Sequence, residues 1–124
     1  MAHGRKAITE KLVFALALSF LGTQAMAAGA LAIDSSQGNR YGFAHGYQST
    51  NQAAEHALGK CGNGCQVVLD FKSGCGAYAT DQSRGSTAYG WGTASSAAVA
   101  QNHALSGCQS RGGSSCMVRS WACD

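Results

Sequence analysis

Gly29-Ala30-Leu31-Ala32-Ile33-Asp34 returns 47 residues later as Gly76-Ala77-Tyr78-Ala79-Thr80-Asp81. At the same offset His56-Ala57-Leu58 with Cys61 returns as His103-Ala104-Leu105 with Cys108. Tyr41-Gly42-Phe43 is echoed by Tyr89-Gly90-Trp91 at an offset of 48, so one inserted residue separates that segment from the others. A period of this length marks a supersecondary unit that cannot bury its apolar face alone. The two copies, about 29–71 and 76–123, must close on each other, which predicts one domain with an approximate twofold.

Each copy reads strand, turn, strand, helix, loop, strand. Leu31 to Asp34 is a short strand, residues 35–39 have turn composition, and Tyr41 to Tyr47 alternates aromatic with small residues at period two. The second copy follows with Ala77 to Thr80, a turn through Ser83 to Ser86, and Thr87 to Gly92. Ser49 with Gln52 three residues on is a capping-box signature, and the helix it opens places Ala53, Ala54, Ala57, Leu58 and Cys61 on one face. Ser95 or Ser96 opens the equivalent helix, with Ala97, Ala100, Ala104, Leu105 and Cys108 on its face. Each copy closes with a strand, Gln66 to Phe71 and Met117 to Trp121. The continuous apolar run Val67 to Leu69 predicts a central strand buried on both sides. The expected class is therefore α+β: two ββαβ repeats, six short strands and two Ala-rich helices.

Residues 1–27 have the form of a secretory signal. Basic Arg5, Lys6 and Lys11 precede an apolar run from Leu12 to Leu21, too short to span a bilayer, and Ala25-Met26-Ala27 supplies a small-residue cleavage site. The mature chain, residues 28–124, is expected to be secreted or periplasmic, without membrane insertion. The leader also carries much of the positive charge. What remains is Arg40, Lys60, Lys72, Arg84, Arg111 and Arg119 against Asp34, Glu55, Asp70, Asp81 and Asp124, a net of +1 with no basic block. Nucleic acid thereby loses its electrostatic basis as a partner.

Large apolar side chains are few and glycine, alanine and serine many, so the core is thin, and small exported domains compensate with disulfides. All six cysteines lie after the leader. Spacing alone does not choose a pairing, but the repeat does. Cys61 and Cys65 flank the helix-to-strand loop of the first copy, as Cys108 and Cys116 flank that of the second, so each pair is expected to bond locally. Cys75 and Cys123, each just after a closing strand, then join the halves. A structural zinc site or a redox pair is set aside, because no C-x-x-C spacing occurs and the leader points to an oxidising compartment.

Tyr41-Gly42-Phe43, the helix into Cys61, Cys65-Gln66-Val67-Val68, Cys75-Gly76-Ala77 and Trp121-Ala122-Cys123 together resemble the bacterial secreted family called domain of unknown function 4189. The resemblance covers essentially the whole mature chain. It implies a small exported protein, and it supplies no catalytic residues.

Asp34 and Asp81 are symmetry-equivalent carboxylates, which invites a general acid and base of the glycosidase kind. Each, however, ends a strand and enters a Ser- and Gly-rich turn, where Asp is favoured for bonding the following backbone. His56 falls off the Ala/Leu face of its helix and is expected in solvent with its equivalent His103; His45 sits among small residues in a strand. No nucleophile elbow, metal-ligand cluster or cofactor motif is present in the sequence. Tyr41, Phe43, Tyr47, Tyr89 and Trp91 form one face of each second strand and are expected mainly inside. The candidate contacts are therefore loops: Ser35 to Arg40, Asp81 to Ser86 and Ser110 to Ser115, with Arg40, Arg84, Ser110, Arg111 and Ser115 as their anchors. This pattern favours a stapled binding or effector module that meets a host or competitor protein. A small hydrolase is the second reading and a structural envelope component the third.

Overall fold

The computed structural model describes residues 27–34 and 40–124; the leader up to residue 26 and the turn at 35–39, part of the first expected contact loop, lie outside the described residues. The first repeat comprises β1 (Ala28–Asp34), β2 (Tyr41–Tyr47), α1 (Thr50–Cys61) and β3 (Cys65–Lys72). The second comprises β4 (Cys75–Asp81), β5 (Tyr89–Ala94), α2 (Ala97–Ser110) and β6 (Cys116–Cys123). Each repeat forms a three-stranded antiparallel sheet, in the orders β2-β1-β3 and β5-β4-β6. The ββαβ duplication predicted from the 47-residue period is thus what the chain builds.

The strand that opens each repeat is the central one. β1 and β4 are almost wholly buried, whereas the run Val67 to Leu69 lies on β3, an edge strand of intermediate exposure. The expectation of a central strand there is corrected by a bulge. Leu31 pairs with Leu69 but Ala32 pairs with Val67, so Val68 is the extra residue. Val67 packs toward α1, while Val68 and Leu69 both pack between the sheets. Three consecutive apolar residues therefore record a change of side at a bulge, not two-sided burial. β6 carries the equivalent shift, where Tyr78 pairs with Ser120 and Ala79 with Val118.

Period-two alternation divides the apolar residues among three layers. On one face of the first sheet Ala30, Ala32 and Ala44 meet Ala53, Ala57 and Cys61 of α1; on one face of the second, Cys75, Ala77 and Ala79 meet Ala100, Ala104 and Cys108 of α2. The other faces meet each other through fully buried Leu31, Ile33 and Tyr78, ringed by Tyr41, Phe43, Val68, Leu69, Tyr89 and Trp91. The order is helix, sheet, sheet, helix. Burial pushes the Tyr78 hydroxyl up to about 12, ahead of the influence of Tyr89 and Tyr41.

Alanine and glycine set the spacing of the outer layers. A Cβ at Gly42 would collide with the Ala57 carbonyl, and one at Gly90 with the Ala104 carbonyl and the Cys108 amide. The helices therefore ride directly on strand backbone, which the alternation Tyr-Gly-Phe-Ala and Tyr-Gly-Trp-Gly permits. Phe71 breaks the twofold: its ring fills the space where both Gly29 and Gly76 would carry a Cβ. Leu58, expected in the α1 core face, is 37% exposed, because the close approach leaves room only for Ala53, Ala57 and Cys61. Ser49 caps α1 by accepting the Gln52 amide, and Ser96, of the two serines considered, caps α2 by accepting that of Val99.

The bridges are Cys61–Cys65, Cys108–Cys116 and Cys75–Cys123, the arrangement that repeat symmetry predicts. Two close the helix-to-strand loops. The third, expected to join the halves, instead ties β4 to β6 within the second repeat, because Cys75 opens β4 rather than trailing β3 and lies directly across from Cys123 in the same sheet.

Candidate functional surface at the end of the second helix

The loop after α2 is shaped from three directions. Arg111 ends the helix, its amide donating to the Cys108 carbonyl, and Gly112 then turns the chain at a φ of 95° that side chains disfavour. The Cys108–Cys116 bridge closes the loop behind them. From below, Asp81 accepts amides of Ser83 (3.1 Å) and Ser115 (3.0 Å) on Oδ1 and that of Ser114 (3.4 Å) on Oδ2. The Gln82 amide donates to the Ser115 carbonyl, and the Ser83 and Ser114 hydroxyls share a hydrogen bond. The Ser86 hydroxyl and the Ser83 amide, bonding the charged form, hold the Asp81 carboxyl well below the usual carboxylate range.

These bonds bring together two of the loops singled out in the sequence. Ser110, Arg111 and Ser115 stand on one, and exposed Arg84 lies on the neighbouring turn. Arg40 belongs to the first repeat. Its guanidinium donates to Asp34 at 3.3 Å and to the Asn63 carbonyl at 2.7 Å, bracing the loop after α1. Asp34 and Asp81 are thus equivalent in sequence but satisfied differently, one by an arginine and one by backbone amides. Each is a structural acceptor.

Arg111 also reaches back over β5. Its Nη1 donates to the Tyr89 carbonyl at 3.0 Å, and its Cζ lies 4.6 Å from the ring centroids of both Tyr89 and Trp91. The two rings are themselves stacked, 5.8 Å apart. Beside them opens a cleft of about 100 Å³ lined by Gly90, Trp91, Gly107, Ser110 and Arg111. The sequence shows the aromatic pair and the arginine separately. Their meeting depends on how far α2 runs and how closely it lies on β5, which no local pattern displays.

The histidines do not gather. His56 stacks on Tyr47 at 4.3 Å, His103 approaches the Thr93 carbonyl at 3.3 Å through Nδ1, and His45 lies 3.6 Å from Asp124. All three are exposed, as the helical positions of His56 and His103 required. Among the described residues no group of three His, Cys, Asp or Glu could hold a metal ion.

The terminal Trp-Ala-Cys element, the Cys-Gly-Ala after β3 and the two-repeat frame all fall within one recognised unit, matched over residues 28–123. The chain belongs to the DUF4189 family, a domain of unknown function. No curated protein and no solved structure matches it. The DUF4189 match spans both repeats and all three bridges. Three disulfides in so small a domain fit an extracellular or periplasmic location. Among the described residues no helix is long and apolar enough to cross a membrane.

Proposed function

We propose that this DUF4189 domain is an exported binding module that meets a host or competitor protein through the surface at the end of α2. The observation that carries the reading is the convergence of Tyr89, Trp91 and Arg111 beside the bridged loop from Ser110 to Ser115. Tyrosine, tryptophan and arginine are the residue types that dominate binding hot spots, and a surface already rigid loses little entropy on docking. The disulfide and the Asp81 bonds supply that rigidity. The hydrolase reading receives no comparable support: Asp34 is bonded to Arg40 and Asp81 to three amides, so both candidate carboxylates already serve the fold.

The test is affinity capture with the oxidised protein, comparing the unaltered chain with an Arg111→Gln variant and with a Ser110→Ala, Ser115→Ala pair. A partner retained by the first and lost by both variants, at unchanged thermal stability, supports the reading. Capture unaffected by either variant removes this surface from the account.

A further inference from the structure

We infer that the cleft between β5 and the end of α2 is a carboxylate site, and that its occupant is an acidic side chain on the partner protein. The inference rests on the binding reading above and names the chemistry its partner must present. A guanidinium has five N–H donors lying in its plane, and aromatic rings engage it through its face. Here one donor is used by the Tyr89 carbonyl. No carboxylate of this chain is paired with Arg111 among the described residues, where Asp34 is engaged by Arg40 and Asp124 lies beside His45. The in-plane fork is the geometry that a carboxylate matches with two parallel hydrogen bonds. Tyr89 and Trp91 hold the guanidinium in place before any ligand arrives, so its rotamer entropy is already spent.

The surroundings select among anions and among modes of docking. Gly90 and Gly107 leave the cleft without side chains on one side, and its volume of about 100 Å³ is room for roughly three waters, or a carboxylate with its first methylene. Ser110 donates its hydroxyl to the Gly107 carbonyl at 3.0 Å, which holds that side chain in place in the cleft lining. The site stands at a helix C-terminus, where the macrodipole is negative, and a lone arginine there suits a singly charged carboxylate better than a phosphate dianion. Strand addition along β5 is impeded, because Arg111 covers the Tyr89 carbonyl and His103 lies at that of Thr93. A point contact with one acidic side chain remains, its flanking residues lying against Trp91.

Isotope-labelled, oxidised protein purified after export tests this by NMR titration, following the Arg111 Nε–H, the Trp91 indole N–H and the Gly107 and Ser110 amides. The probes are a blocked Gly-Glu-Gly peptide, the matching Gly-Gln-Gly peptide, sodium acetate and inorganic phosphate. The expected result is saturable shifts at these four positions with the Glu peptide and with acetate. The Gln peptide and phosphate should bind at least tenfold more weakly. Arg111→Lys, which keeps the charge but loses the fork, should weaken the Glu peptide several-fold, and Arg111→Gln should abolish its shifts. Equal response to the Glu and Gln peptides, tighter binding of phosphate, or normal titration of Arg111→Gln each overturns the carboxylate assignment. Any of these outcomes alongside Arg111-dependent capture of a partner would remove the carboxylate assignment alone and leave the binding reading standing.

Discussion

Replacing Gly90 by alanine probes the feature that most sets this fold's dimensions, the direct seating of α2 on β5. The new Cβ would lie 2.7 Å from the Gly107 carbonyl carbon and closer still to the Ala104 oxygen and Cys108 nitrogen. All three obstacles are helix backbone, so no side chain can rotate out of the way. The helix would have to retreat by roughly 1 Å, and a gap of that size forfeits up to about half of each dispersion contact across the layer. That layer consists of Ala100, Ala104 and Cys108 against Ala77, Ala79 and Cys75, which have no longer side chains with which to refill it. The destabilisation expected for such overpacking is about 2–3 kcal/mol, or a fall in Tm on the order of 10–20 °C for a domain of this size. Gly59→Ala is the control, because nothing lies within 4 Å of its Cβ position and it sits inside α1. There the helix propensity of alanine should stabilise by about 0.5–1 kcal/mol. Thermal melts of both oxidised variants, followed by circular dichroism, give the comparison. A Gly90→Ala melt within a few degrees of the unaltered protein would refute the close-packing argument.

Joint replacement of Cys75 and Cys123 by serine should cost about 4 kcal/mol from loop length, against about 2 for Cys61–Cys65 and about 2.6 for Cys108–Cys116; denaturant melts of the three variants rank them. Asp81→Asn should loosen the loop and weaken partner binding by a few-fold without abolishing it, as expected of a group that rigidifies the surface and does not itself react; a binding titration of the variant reads this. Because the folded carboxyl is held low, its stabilisation is present above about pH 4 and is lost as pH falls through the folded value, so the variant's acid melts should depend less on pH below that point. Export should yield a mature chain beginning at Ala28, readable by mass spectrometry of the secreted protein. That cut releases the Ala27 carbonyl from its 3.1 Å bond to the Ser73 amide and leaves β1 whole.

The repeat, the hairpins and the helix caps were legible because each is written locally: the 47-residue echo, the alternation Tyr-Gly-Phe and Tyr-Gly-Trp, and Ser49 three residues before Gln52. The two loop bridges followed from symmetry, which turns a combinatorial question into one of equivalent positions and leaves Cys75 to Cys123; that this last bridge stays inside the second repeat depends on Cys75 opening β4, which spacing does not display. The run Val67 to Leu69 misled because period and length do not separate a buried central strand from a bulged edge; only the pairing to β1 does. Leu58 misled because the helical wheel finds an apolar arc but not the distance to the sheet. Within the candidate surface, Ser110, Arg111 and Ser115 were legible as a polar loop. Its union with Tyr89 and Trp91 was not, since it depends on where α2 stops over β5.

The claim that this domain acts by binding at the end of α2 is tested most directly by site-specific photo-crosslinking in its native setting. A photoreactive side chain is placed at Ser114, beside Arg111, and separately at Gly59 on the other helix, each site being exposed. The account predicts one discrete protein adduct from position 114, lost when Arg111→Gln is added, and none from position 59. The same adduct from both positions, or one at 114 that survives loss of the guanidinium, would contradict it.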